Sequence, residues 1–566
     1  MLFILISWLY IFAITLVFGI SMNRFLKLQK ANSVITLCFG FFSIALFTGF
    51  WSIFFAVNWQ FHVVLLIFSL LALFTNLGAI KGYLNTLKKE TQQLSSFLKA
   101  ALFIIAVLIL AQCASPPFVI DNESYYIQTI KWLNDYGLVK GLVNLHLFLG
   151  QASGWHILQS AFSFSFLYEN FNDLSGLCLL LGNYYAIVKL NKFIKNRASS
   201  TNLIIGLFPV LNVFFFQFIS APSPDIAIYV ISFIIFYEFI ESLNVYNRKA
   251  FITIALLSIF LTFIKLTAII FCLFPLILFV KHFVVLKKNS TSILLFGSLT
   301  LVLFCIKNWI LTGNMLYPLT SIESLSGSWR LPRPIEAFFF TEAKANGYLV
   351  SQEVYNNSSF FSLFKQWLIL PKLHGVFNKL ILIVLTILPW FIFRSGKRRP
   401  FAIIYAVAVI NMIFLFLTSP QYRFFIPFLF IFILLIISTF INKKKIILAS
   451  VAISLLITTI PIFYPINATA LTDNNSHASL PIFSVNYFIT PHSNSRYDSD
   501  FVKVKLENTS INTPTNIDFF WGTGDVPLPA INKQQLEYFK TYFKTIPQQH
   551  TSNLKDGFYS KVLNDD

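Results

Sequence analysis

Apolar runs of about 20 residues recur along most of this chain, separated by short polar breaks in which Lys and Arg predominate. A helix of that length matches the hydrocarbon thickness of a bilayer, and lipid offers no solvent for unpaired backbone groups, so only helices or closed barrels can cross it. Barrel strands would alternate over short segments, whereas these runs are long and uniformly apolar. The pattern predicts an all-α polytopic membrane protein with spans near 2–20, 33–51, 61–79, 100–115, 173–190, 201–219, 226–243, 250–264, 266–282, 291–310, 378–393, 401–418, 424–441 and 446–462.

The polar breaks set the topology. Their basic clusters are Arg24/Lys27/Lys30, Lys81/Lys88/Lys89/Lys99, Lys189/Lys192/Lys195/Arg197, Arg248/Lys249, Lys281/Lys287/Lys288, Arg394/Lys397/Arg398/Arg399 and Lys443/Lys444/Lys445. Taken as cytoplasmic by the positive-inside rule, these seven clusters imply fourteen spans with both termini outside. Residues 153–168 are apolar enough for another span, but counting them would put Lys189 to Arg197 outside, so they are expected as a helix lying on the outer membrane surface. The first run lacks the basic start and small-residue cleavage site of a signal peptide and is expected to stay attached.

Composition sharpens this picture. Of 566 residues, 56% are hydrophobic and only 11% charged, which excludes a soluble domain; the net charge of +19 resides mostly in the topological clusters and so does not point to nucleic acid. All five cysteines, Cys38, Cys113, Cys178, Cys272 and Cys305, lie in or beside apolar runs, leaving neither a disulfide framework nor a C-x-x-C metal site. Three segments are expected outside: 116–172, 312–377 and 464–566. The last turns to Asn, Ser, Thr and Pro, with strand-period alternation over 501–506, predicting a small external domain of mixed or mainly β character. The expected organisation is N-terminal helices over 1–97, a transmembrane core over 98–463 and the external domain over 464–566.

Candidate chemistry concentrates at the external face. Asp121 and Glu123 follow Pro116-Pro117 at the mouth of the bundle, ahead of an amphipathic stretch (Ile127, Ile130, Trp132, Leu133, Leu138) suited to the bilayer surface. Partial desolvation there would raise a carboxylate pKa and make a better base; capping of a surface helix is the plainer role for the same acids. Asn144, His146 and His156 have groups that hydrogen-bond a sugar or phosphate, although a lone His is more often structural. Lys265, the charge near the middle of the long apolar stretch 250–288, belongs at a hairpin tip, where it binds a phosphate or snorkels to headgroups. Arg330 and Arg333, in a Pro-stiffened external loop with His374 further on, suit a phosphate or a lipid headgroup equally. Arg423, in Gln421-Tyr422-Arg423-Phe424, stands at the outer entrance to a late span and is costly there unless paired.

Together these pieces resemble the GT-C superfamily of integral membrane glycosyltransferases, which includes protein O-mannosyltransferases and aminoarabinose transferases. The resemblance covers roughly 98–440 and lies in Asp121/Glu123 of the first large external loop, Lys265-Leu266-Thr267, the Asn308-Trp309 to Thr312-Gly313-Asn314 exit ending in Tyr317-Pro318, and Tyr422-Arg423-Phe424. The chain departs from the family in having three spans before the acidic loop and in separating the two acids by Asn122. The resemblance implies a GT-C-like fold and inverting transfer of a sugar from a polyprenyl-phosphate donor to a glycan, lipid or protein acceptor at the outer face of the cytoplasmic membrane. It makes Asp121 the general base with Glu123 as runner-up. Lys265, Arg423 and Arg330 or Arg333 then hold the phosphate, with His146, Asn144 and His374 as further substrate contacts. No cofactor is implied, and a divalent metal stays open. Asn122-Glu123-Ser124 is formally a glycosylation sequon beside the proposed base, which favours a bacterial envelope, as does the Phe, Ile, Lys and Asn bias. A flippase or exporter of lipid-linked glycans, and a glycan polymerase or ligase of another membrane fold, are the competing classes.

Overall fold

Each apolar run folds as a helix, and the polar breaks supply the caps. Asn32 accepts from the amides of Val34 and Ile35, and Asn58, Ser95 and Asn247 play the same part at three later starts. The computed structural model describes residues 1–28, 32–164, 166, 170–196, 199–287, 290–319, 326–471 and 478–563. Lys30, Arg197, Lys288 and part of 153–168 lie outside the described residues.

Among the described residues nine helices are long and apolar enough to cross a membrane: Leu2–Phe25, Ser33–Phe54, Trp59–Gln92, Ser96–Ala114, Ser200–Ile219, Thr291–Thr312, Lys372–Arg394, Arg398–Thr418 and Lys444–Phe463. The other five expected segments are also helical but shorter or more charged: Asp173–Asn196, Pro224–Ser242, Arg248–Ile264, Leu266–Lys281 and Ile426–Phe440. Small residues let helices approach closely. A Cβ on Gly19 would sit 1.9 Å from the Thr36 carbonyl oxygen, and one on Gly40 2.0 Å from that of Thr15, so Leu2–Phe25 and Ser33–Phe54 cross with their backbones in contact.

Contacts sort the chain into two ends. At one, basic clusters meet: Arg248 donates to the Leu26 and Lys27 carbonyls (3.1 and 3.3 Å), Lys195 to Gln93 (2.6 Å) and Lys281 to Leu243 (2.6 Å), while Lys397 pairs with Glu241 at 3.2 Å. At the other, the segments 116–172, 312–377 and 464–566 pack on one another. Asn144 donates to the Trp329 carbonyl (2.9 Å), Gln535 to that of Leu145 (3.1 Å), and the Met1 amine to that of Tyr487 (2.6 Å).

The tail is mixed rather than mainly β. Strands β1 (Phe501–Leu506) and β2 (Thr509–Pro514) pair antiparallel with Val504 opposite Ile511. Strands β3 (Thr545–Gln549) and β4 (Phe558–Val562) pair antiparallel with Pro547 opposite Ser560, and the helix Lys533–Tyr542 lies between the two sheets in sequence.

Two expected surface helices are instead enclosed. The amphipathic stretch forms the helix Ile127–Asp135, packed between the bundle and the tail: Asn134 donates to the Val57 carbonyl (2.7 Å), while Gln128 donates to the Gly524 and Val526 carbonyls (3.0 Å each) and Lys131 pairs with Asp525 at 2.8 Å. Amphipathic spacing records two environments, and here the polar one is protein rather than water or headgroups. Within 153–168, the described helix runs over Gly154–Ser160 and is buried along its whole length, with Trp155 donating to Ser175 (3.2 Å) and Ser153 to the Ile264 carbonyl (2.6 Å).

Candidate functional site

The end where the large segments pack gathers four charged side chains from four separate places in the chain. Asp121 opens a π-helical turn, Asn122–Tyr126, that follows Pro116-Pro117. A π turn brings residue i beside i+5, and the Tyr126 hydroxyl accordingly donates to Asp121 Oδ2 (3.3 Å). Lys265 ends the helix Arg248–Ile264 before a 3-10 stretch, Leu266–Cys272. Arg423 occupies the 3-10 turn Tyr422–Phe424 ahead of Ile426–Phe440. The fourth is Asp225, in the first turn of Pro224–Ser242 behind the cap Ser223, where the helix dipole favours an acid.

They form two linked ion pairs. Arg423 Nη1 lies 2.7 Å from Asp121 Oδ2, and Lys265 Nζ lies 2.6 Å from Asp225 Oδ1. Phe424 joins the pairs, with the Lys265 ammonium 4.2 Å and the Arg423 guanidinium 5.2 Å from its ring centroid. The Asp121, Lys265 and Arg423 side chains keep 19%, 24% and 26% of their surface, whereas Asp225 keeps 3%. Three groups are therefore reachable from outside and Asp225 stands behind them. Gln421 accepts from Arg423 Nε at 2.8 Å, and Tyr229 donates to the Arg423 carbonyl at 3.2 Å, fixing the turn.

The electrostatics reverse one expectation. Burial would push the Asp121 carboxyl up, but the Arg423 guanidinium against it, with Lys265 and Tyr126, holds it below the ordinary carboxylate value. Burial disfavours charge on Arg423 too, yet Asp121 and Asp225 outweigh it and keep the guanidinium firmly protonated. Burial draws the Lys265 ammonium below its usual value even with Asp225 beside it. Burial also lowers His156 to about 3, so this ring, 4.6 Å from that of Tyr126, stays neutral.

Other residues singled out by sequence have structural employment. Glu123 turns away from Asp121 into the seam with the tail, where it accepts from Ser495 Oγ (2.6 Å), the Arg496 amide (2.9 Å) and Asn122 (3.1 Å). Burial raises its carboxyl to about 7 despite these donors. His146 bonds the Trp521 carbonyl at 3.0 Å, and Asn144 is held by Gly141, Trp329 and Ser560. Arg330 is engaged through two nitrogens by Glu336 (2.8 and 2.7 Å), a residue the sequence reading passed over. Arg333 starts the helix Arg333–Ala345, and His374 packs edge-on against Tyr422 at 5.4 Å, one residue from Arg423. The exit motif knots on itself: Asn308 donates to the Tyr317 carbonyl (3.0 Å) and Thr312 to that of Asn308 (2.8 Å), while the Tyr317 hydroxyl reaches the Leu147 carbonyl (3.4 Å). Asp225 was missed by sequence. Its signal was an acid directly after Ser223-Pro224 at the head of an apolar run.

Among the described residues no three His, Cys, Asp or Glu side chains group as a metal site, and the two acids of the cluster are each occupied by a cation. Fold and charge together define a multi-pass helical membrane protein with a partly exposed cluster of ion pairs at one end. The chain belongs to the family described as domain of unknown function DUF8201, whose profile matches residues 1–430. That range holds Asp121, Asp225, Lys265 and Arg423 and excludes the tail. No curated protein and no solved structure matches the chain.

Proposed function

We propose that this protein is a membrane glycosyltransferase of GT-C type, moving a sugar from a polyprenyl-phosphate donor to a cell-envelope acceptor at the outer face of the cytoplasmic membrane, with inversion. The observation that carries the reading is the meeting of a reachable carboxylate, Asp121, with two reachable cations, Arg423 and Lys265, at the end of the bundle that gathers the large loops.

A carboxylate held by a guanidinium is a weak base. Phosphate oxygens match a guanidinium bidentately, so an arriving donor competes with Asp121 for Arg423 and frees the acid as it binds. The acceptor oxygen then attacks C1 and its proton passes to Asp121. The bond between C1 and the phosphate oxygen breaks on the opposite face, and the phosphate leaves with the bonding electrons, its charge held by Arg423 and Lys265. Asp225 keeps Lys265 in place. Glu123, enclosed by the tail, is less suited to reach an acceptor, which leaves Asp121 as the base. The neutral His156 and the Tyr126 hydroxyl complete the polar lining.

The test is transfer of labelled sugar from cellular polyprenyl-phosphate donors in membranes bearing wild type, Asp121→Asn or Glu123→Gln, with folding checked by thermal stability in detergent. Asp121→Asn is expected to stay folded and lose transfer by about 100- to 10,000-fold, the usual worth of a general base, while Glu123→Gln retains most of it. Full transfer by a folded Asp121→Asn would remove the assignment. Wild type that transfers from no donor but moves lipid-linked glycan across vesicles would make the protein a transporter.

A further inference from the structure

The helix Trp59–Gln92 is 34 residues long, roughly 51 Å at 1.5 Å per residue, and overshoots a hydrocarbon core of about 30 Å. It is buried only along a thin stripe, Phe61, His62, Leu65, Ser69, Asn76, Ile80 and Tyr83, which leans on Leu2–Phe25. Toward the basic end it stands off from Ser96–Ala114 and Asp173–Asn196. A groove of about 430 Å³ remains between these helices and Ser33–Phe54, walled by Leu37, Leu87, Leu102 and Leu181. An apolar cavity of this kind is not stabilised by water, whereas a hydrocarbon chain fills it.

Its lining is apolar apart from a few residues, Ser33, Thr91, Tyr184 and Lys99. Among the described residues no carboxylate pairs with the Lys99 ammonium. Lys88 and Lys89 are exposed nearby in sequence, at the end of Trp59–Gln92. The one acid of this stretch, Glu90, is already bonded by Ser33 Oγ (3.2 Å) and the Tyr184 hydroxyl (3.5 Å), and Tyr184 also meets Thr91 (3.3 Å). Basic pockets between transmembrane helices on the cytoplasmic side select anionic headgroups.

We infer that this groove is a binding site for an anionic glycerophospholipid, with an acyl chain between the helices that wall it and its phosphate at Lys99. Of the ion-pair cluster, Asp225, Lys265 and Arg423 are held by other helices, Pro224–Ser242, Arg248–Ile264 and Ile426–Phe440, and none of its four residues lines the groove. The site therefore stands whether or not the protein is a transferase. Its role is to fix Trp59–Gln92 to the bundle.

The full-length protein, extracted in mild detergent and equilibrated with equal phosphatidylglycerol and phosphatidylethanolamine, is read by native mass spectrometry. Wild type is expected to retain the anionic lipid in preference. Lys99→Gln lowers that preference about fivefold, the worth of one lysine at an anionic surface, whereas Lys503→Gln in the tail leaves it unchanged. Leu181→Trp, which narrows the groove, weakens retention of both lipids. Wild type without headgroup preference, or Lys99→Gln that retains the wild-type preference, overturns the inference; Lys99→Gln alters an exposed side chain and decides the matter even should Leu181→Trp misfold.

Discussion

Two carboxylates and two cations confined together behave differently from four surface charges. Asp225 is almost wholly enclosed and Lys265 keeps about a quarter of its surface, so removing one member strands its partner in poor solvent. Asp225→Asn is expected to destabilise the protein by about 2–5 kcal/mol, the cost of truncating one side of a buried charge pair. The double variant Asp225→Leu/Lys265→Met should recover much of that, and thermal unfolding of the four corners of the cycle in detergent measures the coupling. A double variant no more stable than Asp225→Asn would mean that the two residues do not act as a pair. Asp121, Lys265 and Arg423 were legible in sequence because a charge beside apolar runs is conspicuous by its cost. Asp225 was not, since an acid after Ser-Pro reads as an ordinary helix start. For Asn144, His146 and Glu123 the polar type was visible, but most of their partners, Trp329, Ser560, Trp521, Ser495 and Arg496, are remote in sequence and leave no local trace.

The element that most changes meaning between sequence and structure is the stretch from the π turn through Ile127–Asp135. Its spacing was readable, its surroundings were not: the tail, nearly 400 residues on in sequence, covers Gln128 and Lys131. Glu123 is the hinge pin of that cover, and its carboxyl gives the seam a pH dependence. The folded value, about 7, lies above the ordinary 4.5, so the folded seam binds a proton that the unfolded chain releases. The contribution of this group is therefore fully present below the ordinary value and lost as pH rises through about 7. Hydrogen exchange at the Thr523 and Gly524 amides, which bond the Glu123 carbonyl at 2.8 Å, should be faster above that pH after correction for intrinsic rates. Glu123→Gln should flatten the profile; an unchanged profile in that variant would detach the effect from this residue.

At the scale of the whole molecule, helix content was the best-read feature. All fourteen expected segments are helical, nine of them among the described residues long and apolar enough to cross a membrane, and contacts join basic clusters at one end and the three large segments at the other. Packing of Gly154–Ser160 inside the bundle was beyond reach, because an apolar stretch suits lipid and protein interior equally. Placement of the two ends is testable in a background in which Cys38, Cys113, Cys178, Cys272 and Cys305 are replaced. A cysteine at Tyr542, whose side chain is exposed in the tail helix, should react with an impermeant maleimide in intact cells, and one at Lys88 only after permeabilisation. The reverse pattern would turn the protein over in the membrane and put the ion-pair cluster inside.

The separation of 302 positions from Asp121 to Arg423 also sets a clock. At 5–20 residues per second, the ribosome needs roughly 15–60 s to deliver the arginine after the acid has emerged. For that interval Asp121 has no guanidinium to neutralise it, and Glu123 waits longer still for Ser495. A chain halted before its last helices thus lacks the partners that both acids have in the complete fold.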